Sequence, residues 1–176
     1  MKHIILLCFT LILALPLSAK MLISPIDVMN QSFGKNANIS KKNILLTSSQ
    51  AKNITADAKA KLKSKIFKVF KATQDGTTLG YGILVNSKVR SKNAVIIYII
   101  SNDSILKSIE IIAFNEPMEY IPSKVWISQF NNISTDKRLR VAKEIPTITG
   151  ATMSARSIVD GSRIAFAFYD EILKGK

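Results

Sequence analysis

The sequence predicts an α+β fold: a twisted antiparallel sheet of four to five strands packed with helices and closed by a C-terminal helix. Three observations lead there. Four runs rich in β-branched and aromatic residues succeed one another between Ile66 and Phe114, and the turns between them are short. Short turns join antiparallel neighbours, because a parallel pair needs a crossover of a dozen or more residues. Apolar residues at helical spacing stand on either side of this series, after Thr47 and before Leu173. Finally, 47% of the 176 residues are hydrophobic, enough for one buried core and too many for a disordered chain.

Taken in chain order, Ser24-Pro25 marks a helix start, and the Gly-Lys-Asn-Ala-Asn stretch that begins at Gly34 reads as loop. Residues 20–45 are therefore expected to be a peripheral lead-in. Thr47-Ser-Ser-Gln50 is a capping-box pattern, and Ala51, Ile54, Ala58 and Leu62 continue it at helical spacing. The period then changes to that of strands. Ile66, Val69 and Phe70 belong to a run that ends at Gln74-Asp75-Gly76, a turn signal. Leu79–Val85, Asn93–Ser101 and Leu106–Phe114 follow as strands, and Ala94–Ile100 is apolar throughout, as a strand covered on both faces must be. Pro122–Phe130 reads as a short helix anchored by Val125, Trp126 and Phe130. The last element is a helix from Ser154 to Leu173, with Ile158, Gly161, Ala165, Phe168 and Ile172 on one stripe that packs on the sheet.

Residues 1–19 read as a secretory signal: Lys2, an apolar run from Ile4 to Leu17, then small residues up to Ala19. The run is shorter than the roughly 20 residues that span a bilayer core, so cleavage near Ala19 is expected, with an uncleaved signal anchor as the alternative. The single Cys8 and single His3 both fall in this segment. A mature chain without them has no disulfide, no Cys or His metal site, no Cys nucleophile and no Ser-His-Asp triad. No carboxylate pair recurs at a spacing that suggests a hydrolase, so no residue is assigned a catalytic role and none a metal.

Charge is uneven. The chain carries 25 Lys and Arg against 12 Asp and Glu, for a net charge of +13, and the stretch from Lys35 to Lys71 holds ten lysines and one acid, Asp57. This segment is either a solvated face or an attraction to anionic lipid or an acidic partner. An exported protein meets little nucleic acid, and no aromatics interleave the lysines before Phe67, so nucleic acid is not an expected partner.

The segment richest in chemistry is Ile145-Pro-Thr-Ile-Thr-Gly-Ala-Thr-Met-Ser154, directly before the closing helix. Hydroxyls at Thr147, Thr149, Thr152 and Ser154 surround Gly150, which lets the backbone turn sharply and approach a ligand. The helix that follows offers unpaired N–H groups carrying partial positive charge, which suit a phosphate. Two readings stay open: a cap with Ser154 as the capping residue, or a phosphate site in which small Ala151 leaves the Thr152 hydroxyl accessible for a phosphate ester.

Thr149-Gly-Ala-Thr152, followed by Met153 and Ser154, resembles the [Ser/Thr]-Gly-Ala-Thr motif of the FMN-binding domain family. That family includes the flavin-carrying extracytoplasmic subunits of the Rnf complex and of the sodium-translocating NADH:quinone reductase. Gly80-Tyr81, Glu116-Pro117 and the helix after the motif fit the same order, so the resemblance spans Leu46 to Leu173. After the signal peptide over 1–19 and the lead-in over 20–45, it implies an FMN-binding domain over 46–176. It also implies FMN joined through a phosphoester to Thr152 by a flavin transferase that uses FAD and Mg²⁺.

On this reading Thr149, Gly150 and Ala151 shape the loop, Ser154 and the helix N–H groups bind the phosphate, and Arg156 adds positive charge. Glu116 faces the ribityl chain or ring edge, and Tyr81, with Tyr120 and Trp126, is a stacking candidate. Met118 and Met153 are candidate apolar lids. The implied role is an electron-transfer component rather than a stand-alone catalyst. It would work in the periplasm or on the outer face of the inner membrane, between a membrane redox donor and an acceptor protein. Two departures from the family pattern stand out. Pro146 occupies the place of the usual Asp, with Glu144 the nearest acid, which keeps noncovalent FMN, or another phosphate-bearing ligand, as an alternative. Glu116-Pro117-Met118-Glu119 replaces a Glu-Thr-Pro-Gly type turn, which points to a stand-alone relative. The remaining alternative is a basic periplasmic structural or membrane-surface protein without flavin.

Overall fold

A computed structural model describes residues 21–175. The expected signal segment and Lys176 lie outside the described residues. The chain is α+β, as predicted, and its sheet is a six-stranded antiparallel meander, in which every strand pairs with its neighbours in sequence. The strands are β1 (Asn38–Leu45), β2 (Ile66–Gln74), β3 (Thr77–Lys88), β4 (Asn93–Ser101), β5 (Ile105–Phe114) and β6 (Ile133–Ser134). Four helices accompany them: α1 (Pro25–Phe33), α2 (Ser48–Ala58), α3 (Lys124–Ile127) and α4 (Thr152–Phe168), the last continuing through a π-helical turn, Tyr169–Leu173. Among the described residues no helix is long and apolar enough to cross a membrane.

The strand count exceeds the expected four to five because β1 and β6 carry little pattern. In β1 only Ile39 and Ile44 are partly buried, while Lys41, Lys42 and Asn43 are exposed. Its stability comes from backbone pairing with β2, and lysines on an outer strand discourage further pairing. β6 is two residues long. The expected lead-in over 20–45 is corrected accordingly: it supplies both an edge strand and α1, which covers one face of the sheet.

The sheet is thus buried on both sides, and β4 shows how. Ile96, Tyr98 and Ile100 point into the larger core beneath α2 and α4, while Ile97 and Ile99 point into a smaller core beneath α1 with Val28, Met29, Phe70 and Ile112. α1 approaches closely because β3 presents glycine there: a Cβ on Gly82 would meet Met29 Sδ at 2.6 Å. α2 begins with the predicted capping box, Gln50 N–H donating to Thr47 Oγ1 at 3.2 Å and Thr47 N–H to Gln50 Oε1 at 2.9 Å.

α4 crosses β4 at one point of close contact. The fully buried Tyr98 hydroxyl donates to Ile158 O at 2.8 Å. Burial, and then the nearby Asp160 charge, push this phenol well above the ordinary tyrosine range, so it remains a donor. Gly161 lies against that hydroxyl. The predicted stripe of Ile158, Gly161, Ala165, Phe168 and Ile172 is buried throughout, and Phe168 stacks on Phe67 of β2 at 4.4 Å between ring centroids.

Candidate functional site

The segment leading into α4 is held by the core at several points. Ile145 is buried, its N–H donates to Arg140 O at 3.2 Å, and its carbonyl accepts from Ala142 N–H at 2.8 Å. Trp126 is a buried anchor whose indole Nε1 donates to Pro146 O at 2.9 Å, so it packs on the core and positions this segment. A turn follows. Ala151 N–H donates to Ile148 O at 3.1 Å, and Gly150, third of the four residues, has φ +79°. A type II turn requires positive φ at that position, which is why glycine stands between Thr149 and Ala151.

This turn delivers the chain into α4 at Thr152, two residues before the expected start. The residue that flanks the helix is Ala151, which has no side-chain acceptor to offer. The first helical bond runs from Ala155 N–H to Ala151 O at 3.1 Å. Among the described residues no acceptor meets the N–H groups of Thr152, Met153 and Ser154. The expected cap, Ser154, is instead buried one turn in, and its Oγ donates to Tyr120 O at 2.6 Å. Alanine in place of a Ser or Asp cap leaves a helix about 1 kcal/mol less stable. A helix start that forgoes this stabilisation and keeps its N–H groups open has the character of a site that receives an anion.

Arg90 completes the site. It lies on the β3–β4 hairpin, with its guanidinium 4.5 Å from the centroid of the Tyr120 ring. Together with Gly150, Ala151, Thr152, Met153 and Ser154 these two residues line a recess of about 290 Å³. No carboxylate among the described residues pairs with the Arg90 guanidinium. Thr152 is half-buried at the rim, its Oγ1 donating to Ile148 O over a long 3.3 Å.

Glu116 does not face this recess, which corrects the sequence expectation. Its buried carboxylate accepts from the backbone N–H groups of Arg90 (3.1 Å), Ser91 (2.6 Å) and Lys92 (2.7 Å), and from Ser91 Oγ. The Lys92 N–H above all, joined by the other two against the opposing effect of burial, holds the Glu116 carboxyl below its usual range. Glu116 therefore folds the hairpin tip and sets where Arg90 stands. Because its pKa is lowered on folding, its contribution to stability is full at neutral pH and is lost as pH falls through the lowered value. Glu116→Gln should lower the thermal midpoint at pH 7, and the difference from wild type should shrink on acidification. A difference that stays constant down to the acid transition would contradict this role.

Tyr81 is also corrected. It is buried in the larger core, edge-on to Tyr169 at 6.0 Å, and seven strand positions, about 23 Å, separate it from Lys88 at the end of β3 that carries the Arg90 turn. Arg156 is exposed outside the recess walls, and its charge acts on Asp160 one turn on. Thr149 is exposed at the turn, and Gly150, Ala151, Thr152 and Ser154 line the recess. Glu144, the acid nearest Pro146, is held in an ion pair. Its carboxylate is bound to Arg140, at 2.5 Å from Nη2 and 3.1 Å from Nε, and that hydrogen bonding holds its pKa at about 2. Met118 and Met153 are exposed. Met153 lines the recess and Met118 lies two residues from Tyr120.

Arg90 is the residue that sequence reasoning passed over. It sits in a polar Arg-Ser-Lys-Asn turn that reads as solvent-facing, and only the fold brings it to the start of α4. No protein-family model matches the chain, and no curated protein matches it.

Proposed function

We propose that this chain is an extracytoplasmic flavoprotein that carries FMN through a phosphoester on Thr152 and relays electrons in a membrane-associated redox chain. The observation that carries the reading is the recess itself: an open helix start with three unpaired N–H groups, an arginine without a carboxylate partner, and a threonine hydroxyl at its rim. These groups fit a phosphate. The N–H groups and Arg90 supply charge-assisted hydrogen bonds to its oxygens, and the volume accommodates the phosphate with the start of a ribityl chain.

Thr152 Oγ1 would hold FMN as a phosphoester, drawn from FAD with release of AMP and loss of the hydroxyl proton to the transferase. When bound, the flavin supplies one- or two-electron transfer, and the protein holds and orients it. Arg90 and the start of α4 would set positive charge beside the phosphate, and Glu116 fixes Arg90 through the hairpin. A noncovalent FMN or phosphate-ligand module is the second reading. It is favoured by Pro146 at the position of the usual Asp and by the bond of Thr152 Oγ1 to Ile148 O. The flavin transferase, the membrane donor or acceptor and the periplasmic location are parts of the same proposal.

Co-expression of the full chain with a flavin transferase, in a host that exports it, is expected to give yellow protein whose band still fluoresces on a denaturing gel. Flavin that leaves on denaturation would support the noncovalent module. A colourless chain would contradict both flavin readings. Arg90→Ala is expected to reduce loading about tenfold or more, the effect of losing one charge-assisted contact.

A further inference from the structure

A second cleft lies where the sheet has a notch. β2–β3 pairing ends at Lys68 and Leu84, so Val85–Lys88 continue along β4 with no strand of the described residues on their other side. The 59–65 loop bends away there, and the first turns of α4 close the third side, leaving a cleft of about 440 Å³. Its mouth carries Lys61, Lys63 and Lys88, and its wall includes apolar Leu62, Phe67 and Ile164.

At the α4 wall stands Ser157, 7% exposed, whose Oγ has no hydrogen-bond partner among the described residues. A helical serine ordinarily returns its hydroxyl to the carbonyl one turn back, and a buried hydroxyl left unpaired is unfavourable. Among the described residues no carboxylate pairs with Lys61, Lys63 or Lys88, and burial, then the Lys88 charge, hold Lys63 below the ordinary lysine range. Asp160, the acid in this wall, is bound to Arg163 Nη2 at 2.5 Å.

We propose that this notch binds a small organic oxyanion, a carboxylate or phosphate borne on an apolar body, with Lys63 and Lys88 meeting the charge and Ser157 donating to it. The volume is in the range of small-molecule sites. The apolar wall selects against a bare inorganic ion. The site is separate from the recess at Thr152 and does not depend on flavin.

Benzoate, phenyl phosphate and inorganic phosphate are titrated into the ¹⁵N-labelled full chain, following the amides of Leu62, Lys88 and Ser157. Benzoate or phenyl phosphate should give saturable shifts confined to these residues, the stronger of the two identifying the headgroup, with inorganic phosphate at least about tenfold weaker. Lys63→Gln combined with Lys88→Gln, both at the mouth and remote from the core, should weaken binding about tenfold or more. Ser157→Ala should weaken binding severalfold while raising the thermal midpoint. The proposal is overturned if no saturable shift appears, if inorganic phosphate binds as well as phenyl phosphate, or if the lysine pair and Ser157 make no difference. Loss of probe binding in FMN-loaded protein would assign the notch to the flavin and overturn it as an independent site.

Discussion

Thr152→Ala should leave the protein folded and abolish covalent flavin completely. The two halves of this expectation have different origins. Thr152 occupies the first position of α4, where its N–H has no intrahelical partner to lose, and its hydroxyl makes one long bond to Ile148 O at 3.3 Å. Removing a marginal, half-exposed hydrogen bond from a helix start costs less than about 1 kcal/mol. A phosphoester, by contrast, needs the oxygen, and alanine has none. Thr152→Ser should restore attachment, because it keeps the nucleophile and gives up only a methyl group. Thermal unfolding measures the first half, and in-gel flavin fluorescence of the three proteins measures the second. A Thr152→Ala protein that still carried flavin through denaturation would move the attachment to Thr147, Thr149 or Ser154.

Gly161→Ala should be the most damaging small change in the fold. An added Cβ would fall on the Tyr98 hydroxyl and within 2.9 Å of Cζ, on a ring that is fully buried and hydrogen-bonded to α4 itself. Neither partner can give way, so α4 must shift off β4. Overpacking of this kind costs about 3 kcal/mol, and the better helix propensity of alanine returns about 1 kcal/mol. The net loss of about 2 kcal/mol lowers the midpoint by about 6 °C for a domain of this size. Tyr98→Phe removes the atom nearest the new methyl. It should partly rescue Gly161→Ala while costing about 1 kcal/mol in the wild-type background. Strict additivity in this cycle would mean that the two residues do not meet as described.

Elements whose signal is local were legible in the sequence. The capping box at Thr47–Gln50 needs four adjacent residues, and the stripe from Ile158 to Ile172 needs one helix face. Ala94–Ile100 is apolar at every position because both faces of β4 are buried. What could not be read depends on distant partners. β1 is held by its backbone, so its exposed lysines show no alternation. Ser154 looks like a cap because Ser commonly is one, yet its acceptor is the Tyr120 carbonyl, 34 residues away. Glu116 stands away from its expected place, and Arg90 went unread, for the same reason. The carboxylate satisfies three backbone donors of a hairpin that lies 24 to 26 residues earlier, and the arginine that reaches the recess comes from that hairpin. Tyr81 follows a glycine near the start of its strand, and nothing local says that this is the far end of the sheet.

The intact mass of the exported chain, made beside an active flavin transferase, tests the flavin assignment most directly. The expected species is heavier than the unmodified polypeptide by one FMN less one water, with the addition on the peptide that contains Thr152. A single mass equal to that of the bare polypeptide, in protein that is folded and colourless, would contradict it.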